Sequence, residues 1–143
     1  MLVVDTGVLV GLLSATDDWH DRCAELFESH LWDEHVIPST VLVELDYWLA
    51  ERLPLAARRA FYEDLRNGLY RIEWLGRDDY LRSVEIIEQY SHLKLQLVDA
   101  SVVALCERLG EVKVATIDRR DFRQIVPSHC DALTLFPVGP DVA

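Results

Sequence analysis

Four acidic residues stand at or near the ends of predicted strands, and together they could bind a metal ion. Asp5 follows the apolar segment LVV, and Asp118 follows the apolar segment VKVATI. Asp99 opens a predicted helix, DASVVALCERLG, and Glu44 lies one turn into the helix that follows the segment HVIP. Carboxylate oxygens without histidine or cysteine suit hard cations such as Mg²⁺ or Mn²⁺. These four acids therefore form a candidate metal site.

Each acid also has an ordinary structural explanation. Asp5 could close a turn at the end of a strand, and Asp99 and Asp118 could each cap a helix. Glu44 falls near the edge of an apolar helical stripe, where glutamate is usually exposed, and Asp46 fits the same periodicity equally well. The group is harder to explain in this way, because two carboxylates ~5 Å apart repel by roughly 3 kcal/mol at an effective dielectric constant near 20. Gathering four of them requires protons or cations.

Such cations, in a cleft with basic residues on its rim, are the components of phosphodiester hydrolysis. The metal ion polarises the phosphate and lowers the pKa of an attacking water molecule. The segment that follows Asp118 carries Arg119, Arg120 and Arg123, so it is locally basic in a chain of net charge −11. Arginine binds phosphate in a bidentate manner, and we expect these three residues to contact a nucleic-acid backbone. The alternative is a solvated helix end, in which an arginine pairs with Asp121.

The predicted elements that position these residues alternate between strand and helix. Strands are predicted at residues 2–4, 35–38, 70–75, 112–117 and 132–138, and helices after residues 5, 54 and 118 and at 17–30, 40–53, 77–93 and 99–110. Ser39 and Asp99 are predicted to be N-caps, and Gly110 is predicted to end a helix. This alternation predicts an α/β fold, namely a three-layer α/β/α sandwich with a mostly parallel five-stranded sheet.

The same fold class predicts where a ligand would bind. In parallel sheets, ligands bind beyond the carboxyl ends of the strands, where the strand order reverses. If the sheet is doubly wound in the usual way, the strands that end at Asp5 and Asp118 are neighbours. The candidate metal site then lies at the expected edge of the sheet.

The overall composition is that of a globular domain and excludes several classes of protein. The length of 143 residues fits a single domain, residues 1–143, and the chain is 50% hydrophobic and 27% charged. Its apolar runs are far shorter than the ~20 residues that a membrane helix needs, and the N-terminus MLVVDTG does not resemble a signal peptide. The three cysteines are too scattered for a disulfide framework or a zinc site, which favours a cytoplasmic location. The net charge of −11 argues against a general nucleic-acid binder and favours a basic protein partner.

Four segments together resemble a PIN domain: VVDTGVLVGLL, STVLVELDYWL, LQLVDASVVALCERLG and VATIDRRDF. Their order and spacing are most similar to the VapC-type ribonuclease toxins of bacterial toxin–antitoxin modules. The resemblance covers residues 2 to about 138, and DASVVAL followed by VATIDRRDF is its most specific part. It implies a Mg²⁺- or Mn²⁺-dependent endoribonuclease that cuts structured RNA such as tRNA or rRNA. It also implies a cognate antitoxin, a segment of which occupies the active-site groove, and a toxin homodimer.

The resemblance also implies roles for individual residues. It places the metal-binding acids at Asp5, Glu44, Asp99 and Asp118. Thr6 and Thr116 match positions where a small hydroxyl group helps to hold the acids or a water molecule, and Asp121 is a further candidate for the acidic cluster. The chain departs from the pattern at Gly7, where many relatives carry Asn or Ser. This departure concerns one supporting hydrogen bond rather than the metal site.

Three other classes of protein fit the same residues less well. A catalytically silent PIN-like module would bind RNA or protein without cutting, and retention of all four acids counts against it. A phosphatase with an aspartyl nucleophile would carry a second Asp two residues after Asp5, where Gly7 stands. A receiver-type signalling domain would need a paired acid and a lysine at the last strand's end, and the sequence shows no clear version of either.

An antitoxin could bind the aromatic segment 44–65. Tyr47, Trp48, Phe61 and Tyr62 lie on two consecutive predicted helices there. One interpretation is a hydrophobic groove for an amphipathic helix of the antitoxin. The alternative is that these side chains belong to the core.

Overall fold

Five short parallel strands form the centre of the molecule, as the α/β prediction requires. The structure is a computed structural model that describes residues 1–137. The strands are β1 (Leu2–Val4), β2 (His35–Pro38), β3 (Arg71–Glu73), β4 (Lys113–Ala115) and β5 (Thr134–Phe136). They lie in the order β3-β2-β1-β4-β5, and all four neighbouring pairs are parallel. The strand order reverses between β1 and β4. The two strands that lead to Asp5 and Asp118 are therefore neighbours, as predicted.

In the described part of the chain, seven α-helices connect the strands and cover the sheet. They are α1 (Thr6–Leu13), α2 (His20–Ser29), α3 (Ser39–Arg52), α4 (Leu55–Arg66), α5 (Arg77–Gln89), α6 (Leu97–Leu109) and α7 (Arg119–Gln124). Every residue of β1 and β2 is buried, although successive side chains of a strand point to opposite faces. Both faces of the sheet are therefore covered, which confirms the α/β/α prediction. Within residues 1–137, no helix is long and apolar enough to cross a membrane.

Helix α6 carries Asp99 in its first turn and leads through the core to β4, beyond which Asp118 lies. Seven consecutive residues, from Ala100 to Cys106, are buried, so the helix is enclosed on all sides along this stretch. It ends at Gly110, whose φ of 67° is in the left-handed region that glycine adopts without a steric penalty, as predicted for a helix stop. The chain then enters β4 and emerges at Asp118. A rigid, buried helix thus relates the position of Asp99 to the end of β4.

The prediction that Asp99 is an N-cap was wrong. Helix α6 begins at Leu97, two residues earlier, and Gln96 is the N-cap. Asp99 is the third residue of the helix, and its Oδ2 accepts a hydrogen bond from the Gln96 backbone N–H at 3.2 Å. An acid at this third position can reach back to the cap residue, so the same residue type serves either position.

The start of α3 was also placed incorrectly. Ser39 is the first residue of the helix rather than its N-cap, and Pro38 precedes it. The Ser39 hydroxyl instead accepts a hydrogen bond from the backbone N–H of Leu75, beyond the end of β3, at 3.2 Å. A long-range bond of this kind has no local signature in the sequence.

Other element boundaries also differ from the prediction: β3 and β4 are shorter than the predicted strands 70–75 and 112–117, and α5 ends at Gln89 rather than at residue 93. Helix α2 begins at His20 rather than Asp17, because the Asp17 carboxylate accepts a hydrogen bond from the Trp19 N–H at 2.8 Å and closes a turn. Strand β5 ends at Phe136, and Val138, the last residue of the predicted strand, lies outside the described residues.

Candidate acidic site at the carboxyl edge of the sheet

Asp5 lies at the exit of β1, with only 6% of its surface exposed. Its Oδ1 accepts a hydrogen bond from the Thr6 N–H at 2.8 Å, and its Oδ2 accepts one from the Thr116 hydroxyl at 3.0 Å. The pKa of Asp5 is raised to about 7: burial is the largest cause, the charges of Asp99 and Glu44 add to it, and the two hydrogen bonds oppose it. The buried carboxylate is therefore held in place by two hydrogen bonds, while its surroundings disfavour its negative charge.

Thr116 joins the ends of the two central strands. Its hydroxyl donates its single proton to Asp5, and the same oxygen accepts a hydrogen bond from the Asp118 backbone N–H at 3.0 Å. Thr116 is fully buried, so neither bond is exchanged with solvent. The hydroxyl thereby fixes where the chain turns after β4 relative to the carboxylate after β1.

The other candidate acids interact with Asp5 and with one another through their charges. The pKa of Asp99 is raised to about 6, chiefly by burial and in part by the negative charges of Asp118, Glu44 and Asp121. Burial also raises the pKa of Asp118, as does the charge of Asp121. The structure therefore brings the four predicted acids and the further candidate Asp121 into one negatively charged cluster.

Asp46, which periodicity alone did not distinguish from Glu44, is directed elsewhere. Its two carboxylate oxygens accept hydrogen bonds from the Arg58 guanidinium at 2.8 and 2.7 Å, and Oδ1 also accepts one from the Tyr62 hydroxyl at 2.9 Å. These bonds tie α3 to α4. The charge of Glu44, in contrast, acts on both Asp5 and Asp99.

The donor groups of the cluster fit a hard divalent cation in their chemistry. They are all oxygens. The pKa values of Asp5 and Asp99 are raised because their surroundings disfavour the negative carboxylates, and a bound cation would stabilise these carboxylates. The buried Thr6 Oγ1 has no hydrogen-bond partner within the described chain, which leaves one more oxygen lone pair available there. As the side chains are placed in residues 1–137, however, no group of three or more His, Cys, Asp or Glu converges closely enough to hold an ion. Ion binding would therefore require the carboxylates to move closer together.

The three predicted phosphate-binding arginines all lie on α7, directly after Asp118. Arg119 is half-buried, and its Nη1 donates a hydrogen bond to the backbone carbonyl of Pro137. Its guanidinium is thus directed towards the segment that follows β5. Arg120 and Arg123 are exposed. These two are therefore better placed than Arg119 to meet a ligand from solvent.

The departure at Gly7 has a structural counterpart. A Cβ atom at this position would lie 2.7 Å from Cγ1 and 2.8 Å from Cδ1 of Ile117. The Ile117 side chain therefore occupies the space that a larger residue at position 7 would need. Asn or Ser could be accommodated only if Ile117 moved.

An apolar groove of about 810 Å³ begins beside Glu44, but it differs from the predicted one. It lies between α3, the segment after β3 and the start of α6, and its lining includes Val43, Tyr47, Trp48, Trp74, Tyr80 and Leu97. Tyr47 and Trp74 are 57% and 73% exposed, whereas Phe61 is fully buried and does not line the groove. For Phe61, the alternative interpretation, a place in the core, is therefore the one that the structure supports, because α4 turns this side chain inward. Trp74 was missed, although a tryptophan just beyond an alternating strand was a usable signal.

An all-parallel sheet with a cluster of acids beyond its central strands defines an α/β domain with a candidate cation site at the switch point. The PIN domain family model matches residues 2–126, and the chain belongs to this family. The chain is 26% identical to Ribonuclease VapC26 of Mycobacterium tuberculosis over 136 residues, covering 95% of this chain and 100% of VapC26.

Two solved structures have the same fold. One is M. tuberculosis VapC20, a toxin that cleaves the sarcin–ricin loop, with a TM-score of 0.73, 21% identity and coverage of 84% of this chain and 92% of VapC20. The other is a toxin–antitoxin complex from Klebsiella pneumoniae, with a TM-score of 0.67, 21% identity and coverage of 87% and 92%. These similarities confirm the sequence resemblance to PIN domains and to VapC-type proteins.

Proposed function

We propose that this chain is a divalent-metal-dependent endoribonuclease toxin that hydrolyses RNA phosphodiester bonds beyond the carboxyl ends of β1 and β4. One observation carries the proposal: acids from separate segments interact where the strand order reverses, since Asp99 and Glu44 raise the pKa of Asp5, and Asp118, Glu44 and Asp121 raise the pKa of Asp99. A structural role alone does not explain why these charges are gathered. The relatives support the same activity, since VapC26 is named a ribonuclease and VapC20 an RNA-loop-cleaving toxin.

In this proposal, Asp5, Asp99 and Asp118 bind the metal ion, and Glu44 binds it directly or through a water molecule. When bound, Mg²⁺ or Mn²⁺ would polarise a phosphate oxygen and lower the pKa of the attacking water. Thr116 holds Asp5 in place, and the hydroxyl of Thr6 is available to a water molecule. No side chain is needed as a nucleophile.

The arginines of α7 would position the RNA. Arg120 and Arg123 are exposed next to Asp118 and would bind backbone phosphates, which orients the RNA without reading its sequence. Arg119 would contribute from its half-buried position. A local basic helix beside the acids reconciles RNA binding with the overall net charge of −11.

We also propose that a cognate antitoxin binds in the groove that begins at Glu44. A segment with an apolar face could bury Tyr47 and Trp74 there and contact Glu44, which also lines the groove. The complex from K. pneumoniae shows that a protein of this fold assembles with an antitoxin. A homodimer is part of the same proposal, and light scattering of the purified chain would test it.

The decisive experiment is cleavage of total tRNA and rRNA by purified, antitoxin-free protein, with Mg²⁺, with Mn²⁺ and with a chelator. We expect discrete fragments that require the metal and that disappear in Asp99→Asn. Asp131→Asn is the matched control, because it removes the same charge from an exposed residue that precedes β5 and so lies at the opposite edge of the sheet.

The alternative outcomes identify what would be wrong. Metal binding by folded protein without RNA cleavage would favour a PIN-like binding module instead of an enzyme. Cleavage that persists in Asp99→Asn would show that the site is misplaced or that the preparation contains another nuclease.

A further inference from the structure

Two hydroxyl groups meet where α3 packs against α6: that of Ser101 is fully buried, and that of Thr40 is half-buried beside the apolar groove. The oxygens of Thr40 and Ser101 are 2.7 Å apart, and the Ser101 hydroxyl donates to the backbone carbonyl of Val98 at 2.7 Å. Since the serine has one proton, Thr40 must be the donor in the contact between the two hydroxyls. Val41 and Val102, which adjoin them in sequence, are fully buried. A directional bond thus joins α3 to α6.

The bond lies close to two of the acids of the proposed site. Glu44 follows Thr40 by four residues, so the two share one face of α3, one turn apart. Val98, the acceptor, directly precedes Asp99 in the first turn of α6. The bond therefore connects the helical turn before Glu44 to the turn that carries Asp99.

We propose that Thr40 and Ser101 are positioning residues that set the separation of Glu44 and Asp99 for metal binding. This inference rests on the proposed function, because it assumes that these acids bind a cation. A short hydrogen bond requires a defined distance and angle, so it adds a directional constraint on the register of the two helices. Thr40→Val removes a donor but leaves the Ser101 hydroxyl its bond to the Val98 carbonyl, so little stability should be lost. The position of the acids, and hence their affinity for a cation, is then the property that depends on the bond.

The test measures Mn²⁺ affinity of the purified protein by calorimetry, with no RNA present. Thr40→Val keeps the shape of the side chain and removes the donor, and Ser101→Ala removes the same bond from the other helix. We expect each variant to bind Mn²⁺ about 5-fold more weakly, with a Tm within a few degrees of the wild type. Thr40→Ser restores the hydroxyl and should restore the affinity.

The matched control is Ser83→Ala. Ser83 is fully buried, and its hydroxyl also donates to a carbonyl of its own helix, that of Asp79 at 2.7 Å, but it lies on α5. We expect no change in Mn²⁺ affinity for this variant. A loss equal to that of Ser101→Ala would show that any buried serine matters equally, and it would overturn the proposal.

A double-mutant cycle tests whether Thr40 acts through Glu44. In a Glu44→Gln background, Thr40→Val should have no further effect on Mn²⁺ affinity. An equal effect in both backgrounds would overturn this pathway, and unchanged affinity in folded Thr40→Val and Ser101→Ala would overturn the positioning role alone. Absence of Mn²⁺ binding by the wild-type protein would instead overturn the proposed metal site, and the positioning role with it.

Discussion

At the residue scale, Asp5 and Asp99 lie in surroundings that disfavour their negative charges. Burial is the largest cause, and it raises their pKa values to about 7 and about 6. The ordinary aspartate pKa is 3.8, so between that pH and these values the folded state binds protons more tightly than the unfolded state. The metal-free protein therefore loses stability as the pH rises through this range. A cation that stabilises the carboxylates should reverse the effect.

Asp99→Asn should stabilise the metal-free protein at pH 8, because it removes a charge that burial and three neighbouring acids disfavour. We expect a gain of about 1 kcal/mol at pH 8, and little or none at pH 4.5, where the wild-type carboxyl is largely protonated in the folded state. Thermal unfolding in the presence of a chelator measures the difference. A loss of stability at pH 8 would mean that the hydrogen bond to Gln96 outweighs the repulsion.

At the scale of elements, the contact between α1 and the segment after β4 is tight at Gly7. Helix α1 begins directly after Asp5, and the segment after β4 leads to Asp118. A change in the contact between this helix and this segment would therefore shift both acids. Ile117 fills the space beside Gly7, and it directly precedes Asp118. The glycine therefore allows the helix and the strand exit to approach closely.

Gly7→Ser should destabilise the protein by about 1–2 kcal/mol, because its Cβ would overlap the Ile117 side chain. The double variant Gly7→Ser, Ile117→Ala should be less destabilised than the sum of the two single variants, since the shorter side chain removes the overlap. Urea denaturation of the four proteins gives the coupling energy. Additive effects would show that the two side chains do not compete for space.

At the scale of the whole molecule, a strongly acidic chain presents two different surfaces around one acidic cluster. Helix α7 carries exposed arginines on one side of it, and the apolar groove begins at Glu44. In the proposed function, RNA phosphates bind at α7 and an antitoxin binds in the groove. The two surfaces can be tested separately.

Replacing Arg120 and Arg123 by Gln should weaken RNA binding similarly for different sequences, because these residues would contact phosphates. In an inactive Asp99→Asn background, we expect the slope of log Kd against log salt to fall by about 1.4–1.8, since each of the two lost phosphate contacts contributes about 0.7–0.9. Arg59→Gln is the control, since Arg59 is exposed on α4. An unchanged slope would remove α7 from the RNA-binding surface.

Trp74→Ala should weaken binding of the cognate antitoxin by about 10-fold or more while metal-dependent RNA cleavage is retained, because a large aromatic side chain in a groove is a typical binding hot spot. Trp32→Ala is a matched control, since Trp32 is 99% exposed on the segment before β2, at the opposite edge of the sheet. Calorimetric titration of the purified antitoxin against each variant measures the change in affinity. Equal effects of the two substitutions would exclude the groove as the specific binding surface.

Local features of the sequence were sufficient to predict the fold class and the positions of the acids along the chain. The bounds of β1 and β2 agree with the predicted strands, and Gly110 ends α6 as predicted. Hydrophobic periodicity, strand length and turn chemistry are properties of neighbouring residues, so they can be read without a tertiary structure. Four acids near strand and helix ends were visible in the same way.

Only the tertiary structure decided which side chains meet. It directed Glu44 towards the other acids and Asp46 towards Arg58, although both fit the same helical periodicity. It buried Phe61 and placed Trp74 in the groove. These outcomes depend on contacts between residues that are far apart in the chain, and the packing of whole helices sets such contacts. Sequence spacing therefore determined what chemistry was available, and the packing of α3, α4 and α6 determined which residues were brought together to perform it.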